Sequence, residues 1–235
     1  MKNGCLFLIP VPLAPLTGAA SFTPYLSETI NHIDEYIVEN EKTARRFLKE
    51  AGLKTPQSSL VIHDYGKHKR DRSSINVFFK GLLAGKDVGL MSEAGCPGIA
   101  DPGADIIAHA HKLGIRVSPL VGPSSIMLGL MASGFNGQSF AFHGYLPIDK
   151  EPRAKRLMQL EQDALKKQQT QIFIETPFRN NRMLETILNT CNDQRMLCVA
   201  CNLTGEDEVI ISESIKDWKK RTIDLHKKPA IFLLF

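Results

Sequence analysis

The sequence predicts an α/β protein with two sheets, and three observations carry that expectation. Short apolar runs alternate with stretches of helical periodicity along all 235 residues. Nine of those runs have strand length, more than a single sheet of ordinary size holds. Twelve of the 17 glycines fall between Gly81 and Gly144, so one central region is built from tight turns and close backbone approaches. That region is where a site is expected.

The first run, residues 5–9, stops at Pro10 with Pro12 and Pro15 behind it, and reads as a buried strand opening into a loop. Lys2, this run and Gly18-Ala19-Ala20 imitate a signal peptide, but prolines break the apolar stretch and secretion is not expected. Residues 27–38 fit two states: Ile30, Ile33 and Ile37 suit a helix, while Tyr36 to Val38 also suit a strand. Strands are expected at 60–63, 88–92 and 117–121, then at 139–143, 171–175, 196–201, 208–212 and 230–235. Helices are expected at 104–113 before Gly114, at 124–133 before Gly134, and at 178–190 after Pro177. Residues 153–167 form a highly charged helix burying Leu157, Leu160, Ala164 and Leu165. The joint falls at 119–123, dividing an N-terminal α/β domain (1–120) from a C-terminal one (121–235), with a cleft opening there.

Composition narrows the function. With 43% hydrophobic and 23% charged residues the chain is not disordered. A mean hydropathy of −0.12 argues against a membrane protein. No apolar run reaches the roughly 18–20 residues of a spanning helix. Five scattered cysteines fit reduced thiols of the cytoplasm better than a disulfide framework. Cys198 and Cys201 have metal-like spacing, but mid-strand they point to opposite faces, and His109 and His111 splay apart on a helix, so no metal site is expected. Trp218, beside Lys219-Lys220-Arg221, fits a buried side chain better than a base-stacking platform.

The net charge of +4 is segregated. Residues 1–41 carry one lysine against five acids, net −4, whereas residues 42–80 carry ten Lys/Arg against three acids, net +7. Within that block Lys67, Lys69, Arg70 and Arg72, near His63, Tyr65 and His68, suit an RNA-binding patch that tracks phosphates by counterion release. A solvated loop and helix start accounts for the same residues equally well.

Residues 89–103 read as a buried strand running into a turn-rich loop and then a helix. Gly95, Gly98, Gly103, Pro97 and Pro102 with the carboxylates of Glu93 and Asp101 fix an irregular backbone whose amides and carbonyls can face a ligand. The Lys-Ser/Thr of a phosphate loop and the GxGxxG spacing are both missing, which argues against ATP and dinucleotides.

These residues, Ser92-Glu93-Ala94-Gly95-Cys96-Pro97 followed by Ile99-Ala100-Asp101-Pro102-Gly103, resemble the S-D-A-G-T-P-x-I-x-D-P-G signature of the tetrapyrrole methylase superfamily. Within it the chain is most similar to the ribosomal RNA small-subunit methyltransferase I branch, whose reaction is 2'-O-methylation of a cytidine. The likeness continues through Leu120-Val121-Gly122-Pro123-Ser124-Ser125, Phe142-His143-Gly144-Tyr145-Leu146-Pro147, Ile174-Glu175-Thr176-Pro177-Phe178-Arg179 and Leu203-Thr204-Gly205-Glu206. The N-terminal third diverges. The branch's T-P-I-G-N-L is Val11-Pro12-Leu13-Ala14-Pro15-Leu16 here, A-E-D-T-R is Val38-Glu39-Asn40-Glu41-Lys42, and H-D-H-N-E is His63-Asp64-Tyr65-Gly66-Lys67. Those departures bear on the acceptor more than on the methyl donor.

The resemblance implies two α/β domains holding S-adenosylmethionine between them, and a homodimer. It carries cofactor contact onto Ile9, Glu93, Gly95, Cys96, Ile99, Ser124, Ser125, Glu175, Leu203, Pro229 and Ala230. A ribose hydroxyl is a weak nucleophile, so a carboxylate or histidine in reach should take its proton. Glu39, Glu93 and Asp101 are the catalytic candidates, with His63 behind them, although Glu93 and Asp101 could equally cap the loop. Ribosomal RNA or the small subunit is thus the expected partner. A methyltransferase acting on a tetrapyrrole or other small molecule, and a non-catalytic cofactor- or RNA-binding protein, are the alternatives.

Overall fold

The computed structural model describes residues 2–15, 17–66 and 72–235. The chain divides into two compact units, Met1–Ser124 and Ser125–Phe235.

The first unit runs β1 (Cys5–Leu8), α1 (Gly18–Ser21), α2 (Pro24–His32), β2 (Glu35–Val38), α3 (Glu41–Glu50), β3 (Val61–Asp64), α4 (Lys80–Leu83), β4 (Val88–Met91), α5 (Gly103–Lys112) and β5 (Arg116–Pro119), with 3₁₀ turns at Gln57–Ser59 and Arg72–Phe79. Its sheet has the order β3-β2-β4-β1-β5 with every pair parallel. A parallel sheet needs both faces covered, which is why the inner strands β2 and β4 are buried along their whole length, while the edge strands β3 and β5 carry His63, Asp64 and Arg116. On one face Leu26, Ile30, Phe47 and Leu48 pack on Ile9, Tyr36, Val38 and Met91. On the other, Phe78, Phe79, Leu82 and Ile106 pack on Leu6, Ile37, Val88 and Leu90.

The ambiguous 27–38 segment contains both a helix and a strand, so the first sheet gains a strand that periodicity alone leaves open. Thr23 caps α2 by accepting from Leu26 N at 3.1 Å, and Pro24 opens it. From β2 the Tyr36 hydroxyl donates to Ile30 O at 2.8 Å and Ile33 O at 3.1 Å, satisfying carbonyls that the end of α2 leaves open.

The second unit runs α6 (Ser125–Ser133), β6 (Phe140–Tyr145), α7 (Lys150–Lys167), β7 (Thr170–Ile174), α8 (Asn180–Thr190), β8 (Met196–Cys201), β9 (Val209–Ser214), α9 (Ile215–Trp218) and β10 (Ala230–Leu234). The sheet order is β6-β7-β10-β8-β9, parallel only between β6 and β7. Leu157, Leu160, Met183, Ile187 and Trp218 cover Phe173, Val199 and Phe232. Trp218 is buried and its indole N–H donates to Leu197 O at 2.9 Å, so it is a core residue and no stacking platform. Leu165 corrects the expected stripe, being exposed on α7. The buried face is Arg153, Leu157, Leu160 and Ala164, and Leu165 lies about 100° round the helix from Ala164. Arg153 is tolerated there because it donates to Thr186 Oγ1 at 2.9 Å and Ile148 O at 2.8 Å. Among the described residues no helix is long and apolar enough to cross a membrane.

Candidate functional site

In an open parallel sheet ligands gather at the carboxyl ends of the strands, where the chain reverses direction across the sheet. Here the chain moves outward from β1 to β2 and β3, then returns to β4 and passes β1 to reach β5. The ladders continue past the strand ends: Ile9 N donates to Leu90 O at 2.9 Å, Glu39 N to Met91 O at 3.1 Å, and Tyr65 N to Val38 O at 2.9 Å. Gly66 allows the closest approach of two exits, since a Cβ there would lie 2.0 Å from Glu39 O. Glu39 Oε2 in turn accepts from Glu93 N at 3.2 Å, which ties the exit of β2 to that of β4.

Two cavities flank this junction. One of about 590 Å³ is lined by Glu39, Asn40, Glu41, Lys42, Arg45, Asp64, Gly66 and Glu93. The other, about 420 Å³, lies against residues 11–15, Ser92, Glu93, Ala94 and the Thr43, Arg46, Phe47 and Glu50 side of α3. Glu93 lines both and is exposed, and its carboxylate takes no hydrogen bond or ion pair among the described residues. Helix α3 separates the cavities, started by Asn40, whose side chain accepts from Lys42 N at 3.0 Å and Thr43 N at 3.3 Å.

The 92–103 loop is held by side chains as well as by backbone. Val11 and Gly95 exchange two backbone hydrogen bonds of 2.9 Å each. Gly95, Gly98 and Ala100 all have positive φ, at 74°, 82° and 60°, and Ala100 occupies a region that non-glycine residues rarely adopt. Asp101 braces these turns: Oδ2 accepts from Gly98 N at 2.9 Å and Oδ1 from Gly103 N at 2.6 Å. Burial pushes its carboxyl upward, and the two amides partly oppose that shift. The Cys96 thiol donates to Pro123 O at 3.3 Å, and burial pushes this thiol up as well, disfavouring the thiolate.

The catalytic candidates therefore separate. Glu39 and Glu93 meet at one cavity, whereas both oxygens of Asp101 hold the loop. His63 is engaged elsewhere, its Nε2 lying 2.9 Å from Glu35 Oε1 beside the Phe78 ring, so it joins neither cavity. Strand alternation sends Asp64 toward the cavity and His63 to the opposite face. Tyr65, read in the sequence as a neighbour of the basic patch, follows β3 and is buried. Its buried hydroxyl has no partner among the described residues, and burial together with the charges of Asp101, Glu39, Glu93 and Asp64 keeps it protonated. Asn40 was missed, although an Asn after an apolar run and before Glu41-Lys42 carries a cap signal.

Of the expected cofactor contacts in the first unit, Gly95, Cys96 and Ile99 lie on this loop, Ile9 stands at the exit of β1, and Ser124 ends the unit. Ser125 opens α6 in the second unit. Glu175, Leu203, Pro229 and Ala230 lie at one end of the three central strands β7, β8 and β10, because Ile174 pairs with Ile231 and Cys201 with Ala230. Asn202 N donates to Pro229 O at 2.9 Å, joining two of those turns. Glu175 is buried; Oε1 accepts from Arg179 Nη2 at 2.6 Å and Thr176 N at 2.6 Å, while Oε2 has no partner among the described residues. Lys67, Lys69 and Arg70 lie outside the described residues, and Arg72 begins a 3₁₀ turn with its side chain outside the described part.

The architecture matches that of a solved methyltransferase, CobJ, with a TM-score of 0.62 at 17% identity, covering 100% of this chain and 94% of that one. This defines the class of the fold, an α/β methyltransferase fold with two sheets. No family model matches the chain. Curated relatives do: the ribosomal RNA small subunit methyltransferase I of Synechocystis sp. is 31% identical over 205 residues, 87% of this chain and 69% of the relative. That of Bacillus subtilis is 30% identical over 214 residues, 91% and 68%, and that of Vibrio cholerae 28% over 212 residues, 89% and 69%. The chain belongs to the ribosomal RNA small subunit methyltransferase I family and is a methyltransferase.

Proposed function

We propose that the protein transfers the methyl group of S-adenosylmethionine to a ribose 2'-hydroxyl of small-subunit ribosomal RNA, as a homodimer in the cytoplasm. The observation that carries this reading is the junction at Glu39 and Glu93, where the Glu93 carboxylate, without a partner among the described residues, faces two cavities beside the braced glycine loop.

The residues present fit such a donor. The loop offers backbone groups at Gly95 and Cys96 in turns that its own hydrogen bonds preorganise. S-adenosylmethionine supplies an electrophilic methyl on a sulfonium, and its transfer is an in-line displacement governed by positioning. Asp101 fixes the turn at Gly98, and the Val11–Gly95 bridge anchors the loop to the exit of β1. Glu39 holds the backbone at Glu93. Glu93 would accept the proton of the ribose hydroxyl as that oxygen bonds to the methyl carbon and the methyl–sulfur bond breaks, the sulfonium leaving as the neutral thioether S-adenosylhomocysteine.

Glu93→Gln tests this assignment. It should lower kcat by about 100- to 10 000-fold, the ordinary contribution of a positioned base, with RNA affinity nearly unchanged. Unaltered kcat would remove Glu93 from the mechanism. Lys67, Lys69, Arg70 and Arg72 remain proposed RNA contacts. Replacing all four with glutamine should weaken RNA binding and flatten its salt dependence.

A further inference from the structure

We infer that the exposed ridge of α3, formed by Lys42, Arg46 and Lys49, is a phosphate-tracking surface that holds the acceptor RNA strand beside the two cavities. This rests on the RNA reading above and adds to it a binding surface on a described element.

The three cations stand at i, i+4 and i+7 on a helix whose opposite face, Ala44, Phe47 and Leu48, is buried in the first core. That spacing puts them on one stripe, with about 6 Å of rise between Lys42 and Arg46 and about 4.5 Å from Arg46 to Lys49. All three are exposed, and none has an ion-pair partner among the described residues. Their neighbour Arg45 behaves differently, its Nε bonding Glu41 Oε1 at 2.9 Å and its Nη1 bonding Gln57 O at 2.6 Å. Arg45 thus consumes Glu41, the acid one turn before it, and Glu50 is the other carboxylate on the helix.

Placement adds a second argument. Lys42 lines the larger cavity and Arg46 the smaller, so the stripe runs along the wall that divides them. A strand seated on the ridge would pass the carboxylate of Glu93, which both cavities share. The arrangement opposes helix stability, because like charges at i,i+4 and i,i+3 repel and Lys42 sits in the first turn, where the helix dipole disfavours a cation. A polyanionic partner supplies the compensating charge, and counterion release from its backbone favours binding.

The test is a salt titration of the binding of a labelled oligoribonucleotide by fluorescence anisotropy. It compares wild type, the triple variant Lys42→Gln/Arg46→Gln/Lys49→Gln, and a control with the same charge change on α7, Lys150→Gln/Lys155→Gln/Lys166→Gln. The α3 variant should bind more weakly, with the slope of log K against log salt reduced by about 2, at roughly 0.7 per lost contact. The control should keep the wild-type slope, and both variants should bind S-adenosylmethionine as wild type does in calorimetry. An unchanged slope in the α3 variant, or an equal loss in the α7 control, overturns the ridge while leaving the RNA reading in place. Absence of wild-type RNA binding at low salt overturns both.

Discussion

Gly95 shows how single residues determine the site. Its φ of +74° suits glycine, while the nearest atom to an added Cβ, on Leu13, lies at an ordinary 3.4 Å. Conformation, more than space, is therefore the constraint. Gly95→Val should abolish S-adenosylmethionine binding in calorimetry with the far-UV circular dichroism retained, through about 1–3 kcal/mol of backbone strain in the loop. Gly95→Ala should lose less, and normal binding by the valine variant would make the loop a mere crossover. Cys96 provides a pH test. Burial disfavours its thiolate, so at pH 8 it should alkylate with iodoacetamide more slowly than an ordinary thiol of pKa about 8.5, accelerating only at higher pH. A rate equal to that of free cysteine would contradict the buried contact with Pro123. The glycine-rich signature was legible in the sequence because turn chemistry is local. What Asp101 does with its two oxygens was not, since the sequence allowed both a base and a loop brace and only the amides of Gly98 and Gly103 distinguish them.

Elements were legible where a single periodicity held. Residues 196–201 form the strand that their apolar run predicts, and Gly114 and Gly134 follow the helices they were expected to close. The 27–38 segment resisted because a helix and a strand share one apolar stretch with a two-residue link, and it is the Tyr36 hydroxyl on Ile30 and Ile33 that marks the join. Helix α3 carried the largest share of what was missed, since it walls both cavities without any motif of its own. Asn40→Ala should remove its cap and cost about 1 kcal/mol, lowering the thermal midpoint by about 2–4 °C in scanning calorimetry. No change would mean that α3 is held by tertiary packing alone. Gly89→Ala tests the neighbouring strand. Its methyl would lie 2.6 Å from Ile9 Cδ1 and 2.7 Å from the Tyr36 ring, and overpacking of that kind costs about 1–3 kcal/mol by chemical denaturation.

At the scale of the whole chain, family membership and fold support one activity, while the proposed chemistry draws on the strand exits and the 92–103 loop of the first unit. The charge segregation read from the sequence has a structural counterpart in α3, whose cations stand close to the acids of the larger cavity. Apart from Leu16 and Lys67, which lie outside the described residues, the divergent N-terminal motifs adjoin the carboxyl ends of β1, β2 and β3, beside the cavities assigned above to the proposed acceptor. The direct measurement is ribose-methylation mapping of ribosomal RNA from cells with and without this protein, followed by transfer from labelled S-adenosylmethionine to small subunits of the deficient cells by the purified protein. The account predicts that one 2'-O-methyl group of the small-subunit RNA disappears in its absence and is restored by wild type but not by Glu93→Gln. An identical methylation map in both cells, with no label transferred to RNA, would contradict it.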